Sequence, residues 1–356
     1  MANAVINSIN IAGISTCVPK NVDKIADYKL IPENERDGFI KMVGVNQRRV
    51  ADKGVVTSDL CYNAAINLMN KLGWDPLSVN ALIFVTQSPD YLIPSTAIIL
   101  QHRLGLSENC IAFDINLGCS GYVIGLQVAS SLMNSSGISR AILLSGDVST
   151  INLSYYDKST YPLFGDAGSA TALEYDENAQ NMFFCTGSDG KNFDALYIKT
   201  GGTRHLATAE SFEYKEFPGG IRRNDTQMIL DGLRVFNFSI TQVPAQINEL
   251  LMLSSYSIES IDMFYLHQAN RIMLETIRKK LKIPAEKCPY SLDLFGNTSS
   301  ASIPLTICQS VANNDSLNPE NAVVCGFGIG LSWASAKISL KNTMVLPITE
   351  YNECAK

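Results

Sequence analysis

Charge is sparse in this chain: 17% of its 356 residues are Asp, Glu, Lys or Arg, and 28 basic against 34 acidic side chains leave a formal charge of −6. That balance excludes a general nucleic-acid binder, whose footprint is a basic excess. The cysteines (17, 61, 110, 119, 185, 288, 308, 325 and 354) are odd in number, scattered and without metal-ligand spacing. They argue against a disulfide framework or a zinc site and for a reducing compartment. No run approaches the roughly 18 apolar residues of a membrane span, and the N-terminus lacks a basic region followed by an apolar core. A soluble, cytoplasmic protein with no membrane partner is expected. Low-complexity sequence and long linkers are also missing.

What is present is apolar material, 46% of the chain. A chain of this length is too large for one ordinary core and suggests two closely packed halves. Short β-rich runs such as Ala81–Thr86, Ile111–Phe113 and Ala141–Leu144 alternate with amphipathic stretches of helical length, an α/β rhythm. The halves echo each other in order. Phe84-Val85-Thr86-Gln87 resembles Tyr265-Leu266-His267-Gln268, the segment Phe113–Cys119 resembles Ser291–Asn297, and Phe164–Ala170 resembles Phe327–Ser332. Three matches in register argue for a duplicated unit, divided as 1–178 and 179–356. Residues 201–226, rich in glycine and polar groups, read as a loop excursion.

The most informative residue is Cys119. An apolar run from Cys110 to Ile115 suits a strand, Gly118 permits a sharp turn, and Val123, Ile124, Leu126, Val128, Ala129, Leu132 and Met133 supply a helical apolar face. Cys119 therefore opens a helix. Unpaired N–H groups and the positive dipole end favour a thiolate there, lowering a pKa of about 8.5 in free cysteine, and the same N–H groups can hold an oxyanion. Of the three histidines, His102 belongs to an exposed helical turn, His205 to the polar excursion, and His267 to a strand end. Asn297 lies at the corresponding position of the duplicated pattern. Singly, a buried cysteine, a strand-end histidine and a Gly-Asn-Thr turn are more often structural than catalytic; duplication brings all three together at the middle of the molecule.

In this context the chain resembles the β-ketoacyl-(acyl-carrier-protein) synthase III family of the thiolase superfamily. Asp114–Gly121 resemble its nucleophile segment, His267-Gln268-Ala269-Asn270 its histidine motif, and Gly296-Asn297-Thr298-Ser299-Ser300-Ala301-Ser302-Ile303-Pro304 its asparagine motif. Phe164-Gly165-Asp166 and Gly326–Trp333 fit as well, so the likeness runs in order from about residue 8 to 340. The resemblance implies a five-layered αβαβα fold of two thiolase-like halves and a homodimer formed chiefly by the N-terminal half. It implies an acyltransferase in which Cys119 takes an acyl primer from CoA or a carrier thiol. The N–H groups of Cys119 and Ile329 form the oxyanion hole. His267 and Asn297 stabilise the enolate left when malonyl-carrier protein loses CO2, and the product is a β-ketoacyl thioester. No metal or redox cofactor is expected. Cys-His-Asn sets the chain apart from elongating synthases with a second histidine, and Gln-Ala-Asn after His267 from chalcone-synthase-like enzymes. A chalcone-synthase-like polyketide synthase, acyl transfer to an alcohol or amine on the same fold, and a non-catalytic ketosynthase-like partner subunit are the competing readings.

Several positions depart from the family's pattern. Gly38 stands where a tryptophan is thought to cover the CoA adenine, and Met42 where a basic residue is usual, although Lys158 occupies a place where arginine is common. Ile93 aligns with a side chain that reaches the partner subunit's acyl pocket, usually phenylalanine. Ile329 stands where the family's usual Phe-Gly-Gly-Gly has a glycine, while Gly328 and Gly330 are kept. These changes favour a pathway-specific synthase. Asn270, Phe327 and Gly328 are expected to contact substrate. Arg271, Arg278, Lys279, Lys280 and Lys282 against the single Glu275 form a positive helix face that would steer an acidic carrier protein, or else a solvated helix whose terminal cations suit its dipole. The family's docking arginine falls on Ile272. Trp74 and Trp333 read as core.

Overall fold

The computed structural model describes residues 2–314 and 318–353, so Cys354 lies outside the described residues. Two mixed sheets dominate. The first has its strands in the order β11-β2-β6-β5-β3-β4, with β12 also pairing β2. These are β2 (Ile9–Val18), β3 (Ala81–Val85), β4 (Ile111–Ile115), β5 (Arg140–Asp147), β6 (Ala167–Tyr175), β11 (Met344–Val345) and β12 (Thr349–Glu350). The second runs β1-β7-β10-β9-β8, made of β1 (Ala2–Ile6), β7 (Met182–Ser188), β8 (Met263–Leu266), β9 (Ala322–Gly328) and β10 (Ser332–Ile338).

The alternation of side chains along the central strands creates the layering, because successive residues point to opposite faces of a sheet. In β3, Ala81, Ile83 and Val85 enter the central core while Leu82 and Phe84 enter an outer one. In β9, Ala322 and Val324 face the same central core, and Val323, Cys325 and Phe327 the other outer layer. Both faces are covered, which is why these strands read as continuous apolar runs rather than alternating ones. Between the sheets lie helices α4 (Gly121–Ser136) and α7 (Ser302–Ala312), contributing Tyr122, Val123, Leu126, Ile303 and Ile307. Helices α2 (Thr57–Leu72) and α3 (Thr96–Arg103) cover the first sheet outside, and α5 (Gly232–Ser254) and α6 (Arg271–Lys280) the second. α1 (Glu33–Val43) packs against α6. The result is the layered αβαβα arrangement of the thiolase-like fold. No helix among the described residues is long and apolar enough to cross a membrane.

Parallel pairs β3–β5 and β8–β9 occupy equivalent places in the two sheets, so their C-terminal ends meet at one central locus. The second sequence echo does not extend to conformation. Phe113–Ile115 lie in strand β4, whereas Leu292–Phe295 form one helical turn, with no sheet partner beyond β8 to hold them extended. Strand β4 is a half-buried sheet edge rather than the buried strand its composition suggests. The terminal strands also cross the 178/179 division, β1 pairing with β7 and β11 and β12 with β2. The excursion at 201–226 is loop apart from a 3-10 turn, Ala209–Phe212, and one short hairpin, Lys215–Phe217 with Ile221–Arg223.

Candidate active site

Cys119 follows β4 and sits two residues before the first residue of α4, whose N-cap is Ser120. It is 4% exposed. His267 immediately follows β8, its N–H bonded to the carbonyl of Cys325 in β9 at 2.8 Å. Asn297 is fixed through its backbone: its N–H donates to Leu163 O at 2.8 Å and its carbonyl accepts from Gly165 N–H at 3.0 Å. That brace is itself held by fully buried Arg48, whose guanidinium donates to Phe164 O at 2.9 Å and pairs with Asp23 at 2.6 Å.

The three side chains line one cavity, of about 460 Å³ including its open mouth, together with Leu163, Phe164, Val235, Asn270, Met273 and Phe327. The backbone N–H of Ile329 faces the Cys119 sulfur. Gly328, between Phe327 and Ile329, has φ +152°, and a Cβ there would lie 2.8 Å from the Cys119 sulfur. Only glycine fits. The Phe327 ring meets the His267 imidazole edge-on at 5.6 Å between centroids.

The electrostatics correct one expectation. Burial pushes the Cys119 thiol up to about 11, helped by the charge of Asp147, against the pull of hydrogen bonds from Ile329, its own N–H and Ser299. Desolvation outweighs the helix terminus because the sulfur is enclosed rather than at an open helix end. Burial likewise pulls the His267 imidazole down to about 3, so it is neutral across the physiological range. Its Nδ1 lies 2.7 Å from Ser302 Oγ, which also takes the Gln268 N–H at 3.4 Å. Ser302 Oγ, accepting from that N–H, can give its own proton to Nδ1, and in that tautomer Nε2–H is the donor to a ligand. Asn297 Oδ1 accepts the N–H of Ser299 at 2.9 Å, leaving its amide nitrogen to donate.

Other expected residues are dispersed. Asn270 lines the cavity and caps α6 by accepting the Met273 N–H at 2.9 Å. Lys158 lies at a separate pocket with Leu30, Ile31, Gly38, Phe39 and Met42. Ile93 is 86% exposed on a loop beside exposed Tyr91 and Leu92. The cationic face is smaller than its composition. Arg278 is tied to Glu275 at 2.9 Å and to Ile283 O at 2.8 Å, and Lys280 donates to Ile240 O at 3.0 Å. Lys279 remains mostly free, 70% exposed and 3.7 Å from Glu275, while exposed Arg271 approaches the Tyr290 ring at 5.8 Å. Trp74 and Trp333 are buried as expected. Sequence reasoning named Ser299 and Ser302 only as members of the asparagine motif, with no role of their own, and missed Asp147. Asp147 carried a signal, as a charged residue closing the apolar strand β5 has to be buried with it.

Residues 113–190 match the family described as 3-oxoacyl-(acyl-carrier-protein) synthase III, and residues 251–340 its C-terminal counterpart. A putative 3-oxoacyl-(acyl-carrier-protein) synthase 3 of Campylobacter jejuni is 34% identical over 320 residues, covering 88% of this chain and 87% of that protein. A β-ketoacyl-(acyl-carrier-protein) synthase III of Staphylococcus epidermidis is 33% identical over 324 residues, covering 91% and 95%. The crystal structure of a 3-oxoacyl-(acyl-carrier protein) synthase from Burkholderia xenovorans superposes with a TM-score of 0.91 at 35% identity, covering 98% of this chain and 99% of that one. With the matched segments carrying both the buried cysteine and the strand-end histidine, this chain belongs to the β-ketoacyl-(acyl-carrier-protein) synthase III family of the thiolase superfamily.

Proposed function

We propose that the chain catalyses decarboxylative Claisen condensation of an acyl primer, carried on Cys119, with malonyl-carrier protein. The observation that carries this is the convergence of Cys119, His267 and Asn297 on one largely apolar cavity, with the Ile329 N–H on the sulfur. The thiolate of Cys119 attacks the primer thioester, and the N–H groups of Cys119 and Ile329 receive the oxyanion. After the first thiol leaves, malonyl thioester enters and loses CO2. Nε2–H of neutral His267 and the amide of Asn297 donate to the enolate oxygen, a dry site making both bonds stronger than they would be in water. The carbanion attacks the acyl carbonyl and frees Cys119. Each step is one these side chains can perform, and the scheme calls on no metal or redox cofactor.

Acyl-CoA or acyl-carrier protein supplies the primer in this reading, and Arg271 and Lys279 steer an acidic carrier to the cavity mouth. The working unit is a homodimer in the cytoplasm; the sheet edge at β4 and the exposed Tyr91, Leu92 and Ile93 support pairing with a second copy. The decisive experiment is intact mass of wild type and Cys119→Ala after incubation with a panel of acyl-CoA and acyl-carrier thioesters, followed by malonyl-carrier protein. A Cys119-dependent adduct discharged to a β-ketoacyl product is expected. Discharge by an alcohol or amine alone would mean acyl transfer, and no adduct at all would mean a non-catalytic partner subunit.

A further inference from the structure

The space around Cys119 is open on one side and filled on the other. The cavity reaches the nucleophile along His267, Asn297, Phe327 and Gly328. Away from it, side chains of three separate segments converge on Gly118, the residue before the nucleophile. The point where a Cβ on Gly118 would stand lies against Gln87 Oε1, 2.9 Å from Ile329 Cγ2 and 3.1 Å from Ser299 Oγ. None of these three residues lines the cavity.

Each of them is pinned by its backbone. The Gln87 N–H donates to Asp147 Oδ1 at 2.7 Å and the Ser299 N–H to Asn297 Oδ1 at 2.9 Å. The carbonyl of Ile329 accepts the Ser332 hydroxyl at 2.8 Å, and Ser332 Oγ lies 2.7 Å from Ser120 Oγ, on the residue after the nucleophile. Ile329 is the apolar member of the trio, half-buried against the core outside the second sheet. A β-branched side chain is stiff at χ1, so it does not swing aside as a methionine would. Packed neighbours give way to an added methylene only at a cost.

The order of events gives this wall a consequence. Malonyl thioester enters the cavity while the primer's acyl group is still on the sulfur, so a long chain cannot stay in the space that the second thioester's arm needs. It has to run past Cys119 to the far side, where Ile329 stands. We infer that Ile329 is a specificity-determining residue whose side chain closes the acyl side of Cys119 and limits the primer to short, straight acyl groups of acetyl to propionyl size. The assignment rests on the condensation reading, in which two thioesters use one cavity in turn. Two parts of Ile329 then do separate jobs: the N–H serves the oxyanion, and the side chain sets the length of the primer.

The test is the rate at which Cys119 is acylated by acetyl, butyryl, hexanoyl and octanoyl thioesters of N-acetylcysteamine, small donors that need neither nucleotide nor carrier recognition. Intact mass follows the adduct in wild type, Ile329→Val, Ile329→Ala and Ile329→Phe, with Cys119→Ala as the blank for other thiols. Ile329 is not a left-handed position, so alanine and valine suit its backbone, unlike Gly328 (φ +152°) and Gly330 (φ +135°) beside it. Thermal midpoints check that each variant is folded. Rates are compared as the octanoyl-to-acetyl ratio within each protein, which cancels any change at the oxyanion N–H. Wild type should favour acetyl. Ile329→Ala should raise the ratio by about tenfold or more, the scale of one methylene admitted to an apolar pocket, with Ile329→Val in between and Ile329→Phe below wild type. A wild type that takes octanoyl as fast as acetyl, or a ratio unchanged in folded Ile329→Ala and Ile329→Val, overturns the assignment. Chain preference is read before malonyl thioester is added, so adducts that keep this pattern but give no β-ketoacyl product with malonyl-carrier protein would sink the condensation reading alone. No adduct from any chain overturns both.

Discussion

The backbone N–H of Ser299 donates to Oδ1 of Asn297 at 2.9 Å. This contact decides which end of the Asn297 amide faces the cavity, and it gives the residue a donor role that a carboxylate could not perform. Asn297→Asp keeps the shape and the Ser299 contact but removes the donor. Acylation of Cys119 should persist, while decarboxylation of malonyl thioester falls by about a hundredfold or more, the cost of one oxyanion-type donor. Adduct mass and CO2 release measure the two halves separately. Equal loss of both in a folded variant would contradict the assigned role.

Gly328 should tolerate no side chain. A Cβ there would lie 2.8 Å from both Cβ and Sγ of Cys119, at φ +152°. Gly328→Ala is expected to abolish acylation while the sheets stay paired, because the clash falls on the nucleophile. Intact mass against circular dichroism checks this, and a normally acylated Gly328→Ala would contradict the geometry.

His267 makes stability depend on acid. Burial lowers its imidazole from 6.5 to about 3. Below pH 6.5 the unfolded chain takes up a proton that the folded one refuses, so stability falls as pH drops through that window and is unaffected above it. The slope is roughly 1.4 kcal/mol per pH unit, so His267→Gln should lose about 2 kcal/mol less than wild type between pH 6.5 and 5. Urea unfolding at both pH values gives the comparison. Parallel losses in the two proteins would mean that the imidazole titrates normally.

Arg48 is a structural anchor for the asparagine loop. Its side chain is 1% exposed, pairs with Asp23 at 2.6 Å and lies 4.0 Å over the Tyr161 ring. Asp23 is 31% exposed and only partly stranded by the loss of Arg48, but the buried Phe164 carbonyl loses this donor, a cost of about 1–3 kcal/mol. Arg48→Met should therefore lower the denaturation midpoint steeply, and Arg48→Lys should not restore it, since an ammonium cannot reproduce the forked bonds to Asp23 and Phe164 O. Stability of Arg48→Lys near wild type would count against the anchor.

Gly38 leaves space where the family carries an aromatic ring. It lies inside α1, and a Cβ there meets nothing within 4 Å. Gly38→Ala should stabilise the protein by about 0.5–1 kcal/mol through helix propensity. Gly38→Trp should lower KM for acyl-CoA by about fivefold, in keeping with roughly 1 kcal/mol for a stacked ring, without changing KM for acyl-carrier protein. An unchanged acyl-CoA KM would place the nucleotide elsewhere.

The sequence by itself determined the strands that end at Cys119 and His267. Apolar runs bounded by turn residues are local signals, so Cys119 and His267 could be placed at strand ends, whereas Asn297 follows a helical turn instead of the strand expected before it. Tertiary structure decided what those positions do to a proton. Helix-end reasoning lowers the Cys119 thiol, but enclosure between two sheets raises it, because desolvation depends on every layer packed around the sulfur rather than on its own segment. The same holds for Arg278, a cation in sequence and an anchored side chain in space, and for Leu292–Phe295, which echo a strand yet form a helical turn. Asp147 and Ser300 meet across 153 residues of chain, through a bond that exists only once the two halves have closed on each other.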